Sequence, residues 1–140
     1  MNDTGYDYFD VEADVGIHAW APDRARAFAE AARGVFALIV DPASVEPREQ
    51  REVRAQGASP EGLLVNWINE GLYVHEIEGF AVSTVEVTVC TDALIHGLLR
   101  GEPFDDTRHR AGTVVKAATF HRVSVTEQPG RVDLAVIVDV

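Results

Sequence analysis

A chain of 140 residues is long enough for one hydrophobic core and short for two. Its formal net charge of −11 excludes the DNA or RNA backbone as a primary ligand, because phosphate binding needs a basic surface. The charge suits a cation, a basic protein surface, or solubility alone. Cys90 is the single cysteine, which excludes a disulfide framework and a cysteine-based zinc site.

The opening MNDTGYDYFDVEAD is acidic and carries no apolar signal core, so no secretory leader is expected. No apolar run approaches the ~18 residues of a membrane span, and a cytoplasmic protein is expected. Residues 6–11 alternate aromatic and acidic side chains, the pattern of a half-buried strand. Gly16 allows a bend, and residues 15–21 read as a second strand, stopped by Pro22-Asp23. Asp23 is a suitable N-cap for a helix on which Phe28, Ala31, Ala32, Val35, Phe36 and Ile39 recur at helical spacing. Gly34 interrupts that helix at a cost of roughly 1 kcal/mol relative to Ala, which suggests close packing. Asp41-Pro42 ends it.

Residues 44–56 are highly charged and read as an exposed edge strand, the setting that tolerates Pro47. Ser59-Pro60-Glu61 is a strong helix start, with N-cap, proline and first-turn acid in order. Leu64, Trp67, Ile68, Gly71, Leu72 and His75 form one face of that helix, widened by Leu63, Val74 and Ile77, and Gly79 closes it. His75 on an apolar face is expected to be a hydrogen-bonded core histidine. From Phe80 the chain is strand and turn: 80–90, 93–100, a loop at 101–112, 113–125, a Pro129-Gly130 turn, and 131–138, which is apolar enough for the middle of a sheet. The fold class is α+β: one two-layer domain over residues 1–140, with two helices on a mostly antiparallel sheet of about six strands.

The chain has no nucleophile elbow, P-loop, GxGxxG, HExxH or CxxC, and its five histidines are scattered. What remains is oxygen chemistry. Asp14 sits at a bend between strands, and Asp139 directly precedes Val140 and its terminal carboxylate. Two anions that close need protonation, water or a cation. Either they form a solvated tail, or a third carboxylate nearby makes an oxygen-only site for Ca2+ or Mg2+. Lys116 is the only lysine beside eleven arginines, set inside the apolar run VVKAATF. It invites either a functional role or an ordinary ion pair with Asp105 or Glu102.

Four blocks together carry a family resemblance: EADVGI at 12–17, LLVNWINEGLYVHEIEG at 63–79, the Gly-Glu…His…Gly…VKAATFH block at 101–121, and VIVDV at 136–140. In that order and over nearly the whole length, the chain resembles archease, the small activator of the RtcB-type RNA ligase that joins tRNA exons. The resemblance implies a non-enzyme that promotes guanylylation and multiple turnover of the ligase. It implies a metal site at Asp14, Asp139 and Val140 (through its terminal carboxylate or backbone oxygen), with calcium expected and Mg2+ or Mn2+ as alternatives. No direct nucleic-acid binding is expected, and Lys116, His109 and Glu102 are expected to line the partner contact. The sequence departs from the family at Val11-Glu12-Ala13-Asp14, where His-Thr-Ala-Asp is usual, at Asn66, where an aspartate is usual before the tryptophan, and at Gly71, where a bulkier apolar residue is usual. Glu12 is expected to add a carboxylate near the metal. Two other readings stand beside this one: a small metal-dependent hydrolase with His109 or His121 as general base, and a metal-free chaperone-like interaction module.

Overall fold

The structure, a computed structural model, describes residues 3–140. Its elements in order are β1 (Gly5–Val11), β2 (Asp14–Ala21), α1 (Arg24–Ile39), a single 3-10 turn (Pro42–Ser44), β3 (Glu49–Gln56), α2 (Pro60–Glu78), β4 (Phe80–Cys90), β5 (Leu94–Pro103), β6 (Ala117–Gln128) and β7 (Arg131–Asp139). All strand pairings are antiparallel. The fold is α+β, as the sequence indicates. Among the described residues the strands number seven, however, and divide between a four-stranded sheet, β1-β2-β7-β6, and a three-stranded sheet, β3-β5-β4. Both helices touch both sheets: α1 packs on β1, β2 and β7 and also on β4, while α2 packs on β6 and also on β3, β4 and β5. Two helices with wide apolar faces need more cover than one sheet face gives, and the second sheet supplies it. Among the described residues no helix is long and apolar enough to cross a membrane.

The helix boundaries follow from capping chemistry. The Asp23 side chain accepts from the Arg26 N–H at 2.9 Å, and the Ser59 hydroxyl accepts from the Gly62 N–H at 3.0 Å. Gly79 ends α2 in the left-handed region at φ 60, where a side chain is strained. Gly34 is explained by close packing: a Cβ there would lie 2.9 Å from Ile17 Cγ2 and 3.0 Å from Tyr6 Cδ1. The expected α1 stripe is buried throughout. Trp67 is buried at the centre and donates its indole N–H to the Phe28 carbonyl at 2.9 Å, which ties α2 to α1. Each fully buried side chain of this kind contributes roughly 1.5–3 kcal/mol. Ile77 departs from the expected α2 face and is exposed, because the core-facing arc of α2 stops at Leu72, Val74 and His75. His75 is half-buried and holds the Phe80 carbonyl at 2.7 Å, in the structural role expected of it.

Three strand boundaries shift, the first being that of β5, which runs on to Pro103 and takes in the first three residues of the expected loop. β3 begins at Glu49, beyond Pro47, and lies at the edge of its sheet as the charge pattern suggests. β6 begins at Ala117, so Lys116 lies just outside it. The preceding segment serves α1 instead: the Gly112 and Thr113 N–H groups donate to the Ile39 and Leu38 carbonyls, each at 2.7 Å, supplying partners to carbonyls that a helix end leaves unsatisfied. β6 and β7 form the expected hairpin through Pro129-Gly130, but their register jumps between Thr119 and Ser124. Residues 120–123 leave the ladder there, with Arg122 at φ 55.

Candidate functional site

The central strand β7 delivers Asp139 into a row that crosses the four-stranded sheet. Val11 pairs with Asp14, Asp14 with Asp139, and Asp139 with Ala117. Glu12-Ala13 is a tight turn, held with Ala13 at φ 66, a conformation that costs a non-glycine residue roughly 1–2 kcal/mol. That turn makes Asp14 the first residue of β2. Ile17, Ala19 and Ala21 of β2 are buried in the core, as are Val132, Leu134, Val136 and Val138 of β7. By strand alternation, Asp14 and Asp139 therefore share the opposite face, away from the helices. The Lys116 N–H donates to the Asp139 carbonyl at 2.9 Å and fixes the end of β7 from its other side.

Directly opposed antiparallel residues have Cβ atoms about 4.5–5.5 Å apart, and like charges so placed repel. Among the described residues no cationic side chain pairs with either carboxylate, and no third His, Cys, Asp or Glu completes a metal-binding group with them. Glu12 is exposed in the turn and does not add the third carboxylate expected of it. Val140, one residue further on, is 37% exposed and contributes oxygens only through its main chain. The donor set is thus two carboxylates with main-chain oxygen beside them, all hard ligands suited to Ca2+, Mg2+ or Mn2+.

Glu102 and His109 play a different part from the contact surface expected of them. Both are buried, with side chains only 2% and 0% exposed. The Glu102 carboxylate accepts from the Glu46 N–H at 3.0 Å, Arg48 at 3.2 Å, Arg108 at 2.8 Å and His109 Nε2 at 2.9 Å. Arg108 first, then the Glu46 amide and His109, hold this carboxyl well below the usual carboxylate range. The Asp105 N–H donates to His109 Nδ1 at 2.8 Å, so the ring is the neutral Nε2–H tautomer with both nitrogens occupied. Such a ring is not available as a general base. The pair instead anchors the loop between β5 and β6. Sequence reasoning missed Arg48 and Arg108 as its partners. Glu102 followed by Arg108-His109 was the local signal, but Arg48 comes from before β3 and only the fold brings it in.

Lys116 is exposed and makes no ion pair among the described residues. The acids expected to neutralise it are taken: Glu102 by Arg48 and Arg108, and Asp105 by Arg108 and the Thr107 hydroxyl. The lysine lies on the rim of a cleft of about 590 Å³ lined by Ile39, Leu72, Phe104, Val114 and Val115 among others, with Glu76 on the same lining. Lys116 lines this cleft together with Leu72 and His75 of α2, while the two aspartates face away from the helices. The structure therefore joins Lys116 to Asp139 through the backbone and separates their side chains.

These features define a small acidic α+β protein that presents paired carboxylates at one end of a sheet, beside an apolar cleft rimmed by a free lysine. The chain belongs to the archease protein family (MTH1598/TM1083), whose model it matches over residues 6–140. It is 37% identical to a protein archease of Methanopyrus kandleri over 130 residues, covering 91% of this chain and 93% of that one. It is 35% identical to a protein archease of Sulfurisphaera tokodaii over 136 residues, covering 96% and 98%. The solution structure of Methanobacterium thermoautotrophicum protein 1598 superposes with a TM-score of 0.81 at 30% identity, over 97% of this chain and 99% of that one. The crystal structure of an archease, possible chaperone, from Thermotoga maritima shares the fold with a TM-score of 0.61 at 14% identity, over 94% of each chain.

Proposed function

We propose that this protein is a metal-binding, non-enzymatic activator of an RtcB-type RNA ligase, promoting its guanylylation and multiple turnover in tRNA splicing or RNA repair. The observation that carries the reading is the direct opposition of Asp14 and Asp139 on adjacent strands with no cationic side chain of the chain to neutralise them. A divalent cation, calcium first with Mg2+ or Mn2+ as alternatives, would be held by these carboxylates and the Val140 oxygens. Bound there, it supplies positive charge and a Lewis-acidic centre at the end of the sheet. The chain's own contribution is positional: the Glu12-Ala13 turn places Asp14, and the Lys116 N–H and Ala117 fix Asp139. A ligase that holds RNA needs a basic surface, and a partner of net charge −11 is steered toward it. The hydrolase alternative loses His109 as a base, since both its nitrogens are occupied.

The test mixes the protein with the ligase of its own host, GTP and Mn2+, and follows guanylylation of the ligase, with Asp14→Ala and Asp139→Ala beside wild type. Stimulation by wild type that both substitutions abolish is the expected result. No stimulation by wild type overturns the reading. Stimulation that survives both substitutions keeps the partner and removes the metal, leaving the interaction-module reading.

A further inference from the structure

Nine of the eleven arginines are ion-paired with carboxylates of the same chain. Among the described residues the cations left without an acid are Arg110, Lys116 and Arg122, and all three are exposed. In a chain of net charge −11 they fall in one short segment. The most exposed large apolar side chains fall beside them: Val114 at 75%, Ile77 at 65%, Phe120 at 63% and Tyr73 at 60%. Val114 and Phe120 belong to the segment itself, and Tyr73 and Ile77 to α2 alongside it.

The segment runs along α2 in the reverse direction. Residues 111–116 form a cleft with Leu72, His75 and Glu76 near the C-terminal end of α2. Ala118 exchanges hydrogen bonds with the Asn69 side chain, N–H to Oδ1 at 2.7 Å and Nδ2–H to O at 3.3 Å. Phe120 lies at the first turn, where a Cβ on Gly62 would be 3.9 Å from its ring. Tyr73 and Ile77 follow Asn69 at successive intervals of four residues, on one stripe of the helix. Unpaired cations and exposed apolar groups thus share one continuous band.

From this band we infer the docking surface for the ligase: a protein face that presents carboxylates around an apolar centre. The inference rests on the ligase reading above and adds where the ligase docks and what chemistry its face carries. Charge selects the class of occupant. Elsewhere the chain repels a long phosphate polymer and is drawn to the basic, RNA-holding part of the ligase, so the three free cations spread along this segment recognise acids local to the docking face. Val114 and Ile77 offer nothing to a base or a phosphate, and suit the apolar core of a protein interface. Position links docking to the carboxylates, because Lys116 binds the Asp139 backbone and Ala117 pairs with Asp139. A ligase seated on the band has the Asp14–Asp139 pair at its edge.

The experiment measures binding of the full-length protein to the purified host ligase by fluorescence anisotropy, and in parallel its binding to a labelled tRNA. Variants are Lys116→Glu with Arg122→Glu, Phe120→Ser with Ile77→Ser, and Arg26→Glu as a control at a paired arginine remote from the band. Every substituted side chain is exposed, and thermal melts check that each variant is folded. The expected result is at least a tenfold loss of ligase affinity for each band variant and none for Arg26→Glu. The charge-reversal loss is expected mainly in the association rate and shrinks at about 1 M salt, where screening falls to about 3 Å. Asp14→Asn with Asp139→Asn keeps ligase binding while losing guanylylation. If band variants bind the ligase as wild type does, the docking assignment is overturned and the ligase reading stands. If wild type does not bind the ligase at all, both fall. If band variants lose tRNA binding and keep ligase binding, the band is a nucleic-acid surface and the assignment is overturned.

Discussion

Asp14 and Asp139 face each other without a cation from the chain, so neutralising one of them has a sign that depends on metal. With about 5 Å between two half-exposed carboxylates, Coulomb repulsion is about 0.8 kcal/mol in a water-like dielectric and rises as the local dielectric falls; cross-strand pair measurements span about 0.2–1 kcal/mol. Asp139→Asn removes this repulsion and keeps the shape. In chelator the variant is therefore expected to be more stable than wild type by about 0.5–1 kcal/mol, a rise of roughly 2–4 °C in Tm for a domain of this size. If calcium occupies the proposed site, a hundredfold excess over its Kd would stabilise wild type by about 2.7 kcal/mol, and the variant would lack one of the two side-chain ligands. The two melting curves should cross: variant above wild type in chelator, wild type above variant in calcium. Differential scanning fluorimetry in both buffers reads this directly. A variant less stable than wild type in chelator would refute the unrelieved pair, and equal calcium responses would refute the cation site.

Glu102 gives a pH prediction. Its folded carboxyl lies well below the ordinary glutamate value because Arg108, the Glu46 amide and His109 stabilise its charged form. The unfolded chain therefore binds the extra proton first as pH falls below about 4.3, and the stabilisation is present above that value and lost progressively below it. Glu102→Gln should flatten this part of the urea-midpoint profile, and a profile as steep as wild type would contradict the hub. Gly101→Ala should destabilise by about 3 kcal/mol in urea unfolding, because a Cβ there runs into the backbone carbonyl of Ala81, which cannot move aside. Trp67→Phe should cost about 1–3 kcal/mol beyond lost packing, through the missing indole bond to the Phe28 carbonyl; an unchanged urea midpoint would contradict that link.

Local rules made most of the frame legible. Asp23 and Ser59-Pro60-Glu61 start helices where their capping chemistry says, Gly79 stops one, and the apolar run of β7 sits at the centre of its sheet. Nonlocal satisfaction was not legible. The alternation of 113–125 reads as one strand, but Gly112 and Thr113 donate to the end of α1, and residues 120–123 leave the ladder. Ile77 keeps helical spacing and still faces solvent, because spacing does not say where the core-facing arc ends. Asp14 and Asp139 were readable as carboxylates near bends; their pairing in register depends on β2 and β7 meeting across most of the chain. The burial of Glu102 and His109 depends on Arg48, which the local sequence does not associate with them.

The central claim is that paired carboxylates at the end of the sheet allow a ligase to work repeatedly. The most direct measurement counts joined RNA molecules per ligase molecule, with the ligase limiting and GTP in excess. With wild-type protein the count should rise well above one; with Asp14→Asn and Asp139→Asn combined it should fall to the value of the ligase alone. A double variant that sustains the wild-type count would contradict the account.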